Sequence, residues 1–390
     1  METQQNETDS MELNATSETV IPLEDRPETY VVPVIFALIF LVGVVGNGTL
    51  VFIFARHRNM RNVPNTYILS LALGDLLVIL SCVPFTSTVY TFESWPYGEL
   101  ICKLSETSKD ISIGVSVFTL TALSADRFFA IVDPMGNFSI GGRGATRCTI
   151  MIACGIWLLA ALCAVPAAIT SYIRDFTDNN KVLFHVCYPY PVEWGPMYPK
   201  TVVLIKFLFY YAIPLVIIAF FYSLMARHLI LSTRNIPGEM QCQVRQVRAR
   251  KKVAKTVLTF VVVFAVCFFP HHMFMLWFYY YPDAQSSYNS FWNYLRIVGF
   301  CLSFINSCIN PIALYCVSGT FRKHFDRYLF CCWRRPGSRR SRSQRRTVTR
   351  RGWDSTTTAP GHQSTMRRHA DPTEITLTTF MNGADKNAII

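Results

Sequence analysis

The stretch Val31–Ala55, VVPVIFALIFLVGVVGNGTLVFIFA, holds no charged residue over its whole length. The hydrocarbon core of a bilayer is about 30 Å thick and an α-helix rises about 1.5 Å per residue, so about 20 apolar residues cross it. This stretch is long enough to span. Six more segments read the same way: Tyr67 to Tyr90 with one charge, Asp75; about Cys102 to Val132; Cys148 to Ile173; Thr201 to Ala226, interrupted by Lys206; Thr256 to Tyr281; and Phe291 to Val317, with Arg296 near its start. The bulk composition agrees. Over 390 residues the chain is 51% hydrophobic and 16% charged, with mean hydropathy +0.27, too little polar matter to cover a soluble domain. The predicted fold class is all-α: an integral membrane bundle of seven transmembrane helices, then a short amphipathic eighth helix.

Orientation follows from Lys and Arg in the short loops, which stay cytoplasmic. Arg56, Arg58 and Arg61 follow the first span, Arg143 and Arg147 lie between the third and fourth, and Arg245, Arg248, Arg250, Lys251, Lys252 and Lys255 precede the sixth. Residues 1–30 carry eight acids and one Arg and lack the apolar core of a cleavable signal peptide, so the first helix is expected to act as its own insertion signal. They read as an extracellular tail whose sequons, at Asn6 and Asn14, are candidate glycan sites, whereas Asn47-Gly48-Thr49 lies inside a span and is rejected. Residues 31–317 form the seven-helix core. Residues 318–333 combine the amphipathic run Phe321-Arg322-Lys323-His324-Phe325 with Cys331 and Cys332, where S-palmitoylation would anchor it. Residues 334–390, rich in Arg, Ser and Thr, read as a disordered cytoplasmic tail. The net charge of +12 sits beside the helices, which suits anionic lipid rather than nucleic acid.

Ions inside spans are costly, so each is a functional candidate. Asp75 has two readings: a protonated packing residue, or one ligand of a small monovalent cation such as sodium, with Ser116, Asn306, Ser307 and Asn310 as oxygen partners. On the third span Glu106, Lys109, Ile113, Ser116, Leu120, Leu123 and Arg127 recur at intervals of three and four. That stripe runs roughly 27 Å from Lys109, at an outer cavity, to Arg127, at the cytoplasmic mouth. Glu106, Lys109, Asp110, Lys206, His271, His272, Met275, Arg296 and Phe300 are the residues expected to bind ligand. Charges of both signs suit a peptide, although Lys109 with Arg296 could clamp a free carboxylate. Trp277, Phe278, Tyr279, Tyr280 and Tyr281 are either peptide contacts or headgroup anchors. Pro214, Pro270 and Pro311 interrupt the last three spans, where helices can bend. Of 13 cysteines most lie in spans or on the cytoplasmic side, while Cys102 and Cys187 face the oxidising side, where a disulfide would clip the loop over the cavity.

These motifs resemble the rhodopsin-like G-protein-coupled receptors over about residues 31 to 332. Gly46-Asn47, Leu71 to Asp75, Asp126-Arg127, Trp157, Pro214 with Tyr222, and Asn310-Pro311 occur in the family's order. Asn310-Pro311-Ile312-Ala313-Leu314-Tyr315, with its late tyrosine, and Ser318 to Phe325 look like the bombesin-receptor branch. The run Phe268-Phe269-Pro270-His271-His272 is similar to invertebrate CCHamide neuropeptide receptors. The resemblance implies a plasma-membrane receptor for an amidated neuropeptide, coupled to a heterotrimeric G protein of the Gq class. It further implies arrestin and receptor kinases acting on a phosphorylated tail. The activation switch would comprise Asp126, Arg127, Tyr222, Phe264, Phe268, Pro270, Asn310, Pro311 and Tyr315, with Arg127 leaving Asp126 for Tyr222 as the sixth helix swings out. Three positions depart from the pattern: Phe128 replaces the usual tyrosine, Phe268 the usual tryptophan, and Tyr315 comes one place later than in most of the family. The alternative is a receptor of the same class for another peptide or an acidic small molecule; a protonated amine would meet Lys109.

Other classes fit less well. A retinal pump needs a seventh-helix lysine, and none lies between Ile297 and Val317. A transporter would carry internal repeats, and none is evident. Adjacent His271 and His272 point about 100° apart on a helix and cannot share one metal, so no enzyme site and no cofactor beyond the sodium ion is expected.

Overall fold

The computed structural model describes residues 26–57, 60, 62–92, 94–132, 143–178, 181–234 and 241–329. Within it seven helices are long and apolar enough to cross a membrane. They are α1 (Pro27–Arg56), α2 (Val63–Ser81), α3 (Gly98–Val132), α4 (Arg143–Thr170), α5, α6 (Gln241–Tyr280) and α7 (Ser290–Val317). Helix α5 has three parts, Met197–Phe207, a π-helical Leu208–Ala212, and Ile213–Arg234. A shorter helix, α8 (Gly319–Leu329), follows α7. Strands β1 (Tyr172–Asp178) and β2 (Lys181–Tyr188) form an antiparallel hairpin between α4 and α5, with Ile173 opposite Cys187. We call the two ends of the bundle the hairpin end and the α8 end.

Helix α1 shows how apolar residues sort when both surroundings are apolar. Val34, Leu38, Leu41 and Val45 form an exposed stripe at helical spacing, while Val32, Phe36, Ile39, Gly43 and Leu50 are buried. Packing, not hydrophobicity, decides which stripe faces inward, and small residues permit close approach. A Cβ at Gly46 would lie 2.7 Å from Pro311 Cγ, so glycine lets α1 and α7 touch. Gly299 is as tight and less forgiving, because its Cβ would come within 2.7 Å of the His271 backbone on α6.

The observed ends differ from the hydropathy spans where polarity or proline intervenes. The second span does not continue to Tyr90. It stops at Ser81, since Pro84 has no N–H to donate and crowds the preceding turn; Val83–Thr86 and a 3-10 turn, Ser87–Tyr90, follow. Helix α6 begins at Gln241 rather than Thr256, because basic residues are good helix formers that a hydropathy window passes over. Asn62 caps α2 by accepting from Asn65 N at 3.1 Å, and Asn289 caps α7 by accepting from the amides of Phe291 and Trp292. At the other end of α7, Arg322 donates from Nε to Tyr315 O at 3.1 Å and from Nη2 to Cys316 O at 2.7 Å, satisfying carbonyls the helix leaves open. Phe321 and Phe325 bury the apolar face of α8 against α1 and α7, with Phe54 and Tyr315 among their ring partners. Expectations for Asn6, Asn14, Cys331, Cys332 and the tail fall outside the described residues.

Candidate functional site

At the hairpin end α3, α5, α6 and α7 enclose a cavity of about 280 Å³. Helical spacing brings its lining together. Glu106, Lys109, Asp110 and Ile113 come from α3, Lys206 from α5, His271, His272 and Met275 from α6, and Phe300 from α7. Eight of the nine residues expected to bind ligand are therefore in one wall. Arg296 is the exception and a correction to the sequence reading: it is exposed and bonds to Tyr288 Oη at 3.2 Å and Asn293 Oδ1 at 2.9 Å, outside the lining. It lies one turn of α7 before Phe300, where its guanidinium is taken up by Tyr288 and Asn293 near the start of the helix.

The cavity's charges pair within it. Lys109 Nζ lies 2.5 Å from Glu106 Oε1, and Lys206 Nζ lies 2.9 Å from Asp110 Oδ1 and 2.8 Å from Oδ2. Two ammonium and two carboxylate groups cancel, so the site is polar yet close to neutral. The rings of His271 and His272 are 5.6 Å apart and inclined by 66°; both line the cavity, and among the described residues no group of three or more His, Cys, Asp or Glu could hold a metal.

Several lining residues escaped the sequence reading: Tyr190, Tyr210, Ser303 and Phe304. Spacing could have found most of them, since Tyr210 follows Lys206 by four and Ser303 and Phe304 follow Phe300 by three and four. Tyr190 required the hairpin. The Cys102–Cys187 disulfide ties β2 to the start of α3, with Cα atoms 5.5 Å apart, and Tyr190 follows three residues on. Burial raises its phenol to about 12, so it stays protonated at neutral pH. The rim aromatics lie beyond the lining. Trp277 stacks on Trp292 at 3.6 Å, Tyr279 packs edge-on against Tyr190, and Tyr280 and Tyr281 are exposed.

Beneath the cavity the aromatic column Phe264, Phe268, Tyr211 and His272 descends toward the α8 end, with Phe264 and Phe268 rings 4.7 Å apart and Tyr211 4.9 Å from His272. Tyr211 Oη donates to Ala265 O at 3.0 Å, just before Pro270 interrupts the ladder of α6. Pro311 sits within α7 in the same way, and Pro214 follows the π segment of α5. Farther down, Asp75 is fully buried; Asn310 Nδ2 donates to its Oδ2 at 2.9 Å, and Oδ1 has no partner. Ser116, Asn306 and Ser307 line a small cavity of about 30 Å³, room for a water, together with Lys109 and Ser112; Asp75 and Asn310 are not in its lining. Asn47, the rejected sequon, is fully buried and donates to Ser307 O at 2.8 Å.

At the α8 end Arg127 is held by its neighbour, Nε donating to Asp126 Oδ2 at 2.9 Å with Nη2 on the same oxygen. Tyr222 Oη donates to Ala254 O on α6 at 2.9 Å. Tyr315 Oη donates to Asp326 Oδ1 on α8 at 3.0 Å. Trp157 Nε1 donates to Ser70 Oγ at 3.0 Å, joining α4 to α2.

The family described as 7 transmembrane receptor (rhodopsin family) matches residues 46–315. The chain is 57% identical over 387 residues to the Neuropeptide CCHamide-1 receptor of Drosophila melanogaster, covering 96% of this chain and 77% of that protein. It is 42% identical over 299 residues to Bombesin receptor subtype-3 of Ovis aries, with 76% and 74% covered. It is 40% identical over 327 residues to the [Phe13]-bombesin receptor of Bombina orientalis, with 82% and 81% covered. These relatives are receptors, not enzymes. Seven spans, a clipped cavity at one end and the Asp126-Arg127 pair at the other thus meet a match that runs through nearly the whole helical core, and the chain belongs to the rhodopsin family of seven-transmembrane, G-protein-coupled receptors.

Proposed function

We propose that this receptor stands in the plasma membrane with its N-terminus outside, binds an amidated CCHamide-type neuropeptide in the cavity at the hairpin end, and signals through a heterotrimeric G protein of the Gq class to release calcium. The observation that carries the reading is the internal pairing of Glu106 with Lys109 and Asp110 with Lys206. A cavity whose cations are already matched favours a neutral peptide terminus, since a free carboxylate would be desolvated without an unpaired cation to receive it. Arg296, the other half of a carboxylate clamp, lies outside the lining, which counts against an acidic small molecule. The name of the Drosophila relative supports the peptide class. Basic loops at the α8 end support the orientation.

Activation is a population shift. In the described arrangement Asp126 restrains Arg127; the active state would release Arg127 toward Tyr222, swing α6 about Pro270 and open a groove for a helix of the G-protein α-subunit. The arrangement around Asp75 suits a sodium ion that favours the resting state. Its Oδ1 has no hydrogen-bond partner, and Ser116, Asn306, Ser307 and Asn310 carry hard oxygen donors of the right kind. Glycans on Asn6 and Asn14, palmitate on Cys331 and Cys332, and arrestin and kinases at the tail belong to the same proposal. The test is calcium release in cells expressing the receptor, challenged with an amidated CCHamide-type peptide and its free acid. The amide is expected to be at least about tenfold more potent, or ~1.4 kcal/mol. Equal potency would refute recognition of the amide; silence to both would refute the CCHamide-type ligand.

A further inference from the structure

A second cavity, of about 310 Å³, lies between α3, α4 and α5 beside the first. Its origin is in the sequence. The run Ala160-Ala161-Leu162-Cys163-Ala164-Val165-Pro166-Ala167-Ala168 gives α4 a face of small side chains. Helix α4 packs chiefly on α3 and α2, and α5 chiefly on α3 and α6, so a gap is left between α4 and α5. Cys163, Pro166, Ala167 and Thr170 form one side and Val202, Ile205 and Phe209 the other.

The mouth of this cavity opens on the lipid-facing surface. Ile205 and Phe209 are 49% and 54% exposed, and the apolar windows of α4 and α5 bury the least of the seven, 22% each. From Tyr198 to Phe209 is roughly 16 Å of helix, about the depth of one leaflet of a ~30 Å hydrocarbon core. The inner wall is polar. Asp110, Lys206, Tyr190 and Tyr210 line this cavity as well as the first, and Asp110 Oδ2 is buried with the Lys206 ammonium 2.8 Å away and no other hydrogen-bond donor on it. A carboxylate oxygen met only by the ammonium of its own ion pair, which carries no net charge, keeps a lone pair for a neutral group carrying O–H. An acid or an amine would leave its own charge unmatched there.

We propose that this cavity is a lateral binding site for a neutral, hydroxyl-headed lipid drawn from the leaflet at the hairpin end, its hydroxyl donating to Asp110 Oδ2 and its apolar body lying against Ala167, Val202, Ile205 and Phe209. The volume falls within the range of about 300 to 1,000 Å³ typical of small-molecule sites. Sterols and monoacylglycerols share this chemistry, and both would reach the site from the membrane without passing the disulfide-clipped hairpin.

The experiment uses the full-length receptor in lipid nanodiscs with two photoreactive probes, a diazirine sterol and a diazirine monoacylglycerol, each compared with its methyl ether, followed by mapping of labelled peptides. At least one free-alcohol probe is expected to label residues 163–170 and 202–209 about tenfold more than its ether does, the difference a lost buried hydrogen bond makes. Which probe does so identifies the source. Ala167→Phe and Val202→Phe, at positions that line only this cavity, are expected to abolish that labelling while leaving the lipid-facing stripe of α1 labelled as before. Labelling no stronger there than on α1, or equal labelling by alcohol and ether in the unmodified receptor, would overturn the proposal without need of either variant.

Discussion

Replacing Lys206 by Met tests whether the charges in the ligand cavity are a closed set. Asp110 is 5% exposed, its Oδ1 is held by Lys206 at 2.9 Å, and its Oδ2 has no other partner. Removing the ammonium while keeping the apolar stem leaves a buried carboxylate beside Tyr190, Tyr210 and apolar wall. Breaking a buried pair from one side costs about 3 to 5 kcal/mol, because the remaining charge keeps its desolvation penalty and loses its compensation. At the lower end of about 2 to 4 °C per kcal/mol this is a fall of roughly 6 to 10 °C in the apparent melting temperature of the detergent-solubilised receptor. The companion variant decides the cause. Asp110→Asn combined with Lys206→Met removes both charges, and an apolar or neutral replacement of a buried pair is often close to neutral, so most of the lost stability is expected to return. The assay is a thiol-reactive fluorescence melt of both variants, with non-reducing gels to confirm the Cys102–Cys187 bond. A single variant that melts with the unmodified receptor, or a double variant no better than the single, would refute the idea that the two charges serve to neutralise each other.

Arg127→Ala is expected to abolish G-protein activation while agonist affinity stays within about tenfold, measured by nucleotide exchange and radioligand binding on the same membranes; full signalling would sink its role as the switch. Sodium is expected to weaken agonist binding, and Asp75→Asn to remove that sensitivity; an unchanged sodium response in the variant would contradict the ion site. Burial chiefly, then the neighbouring His57 ring and Arg327, lowers the basicity of His324 on α8. A base depressed in the folded state is neutral there, so the docking of α8 is at full strength above its ordinary value of 6.5 and weakens as pH falls through it. Hydrogen exchange at Phe321 and Phe325 is therefore expected to quicken as pH falls below 6.5, and His324→Gln to flatten that dependence; identical profiles would refute it.

The fold was legible where one physical rule dominated. A run such as Val31–Ala55 has no alternative to crossing lipid, because every backbone polar group must be satisfied within it. Legibility failed at the borders of that rule. The hairpin Tyr172–Asp178 with Lys181–Tyr188 is neither apolar nor periodic in the way a span is, and it is ordered by a disulfide from a distant helix and by the stacking of Phe176 on Phe184 at 4.8 Å. Arg296 fell outside the lining for a subtler reason: it shares a helix side with Phe300, but it sits one turn nearer the start of α7, where Tyr288 and Asn293 take up its guanidinium. Lys109 and Lys206 show the opposite case. Their presence in the cavity follows from spacing on α3 and α5, yet what the cavity can bind depends on Glu106 and Asp110 neutralising them, and that pairing exists only once two helices are set side by side. Residue type and period therefore gave the inventory of the site, whereas its net charge, and with it the class of ligand it accepts, is a property of the packed bundle.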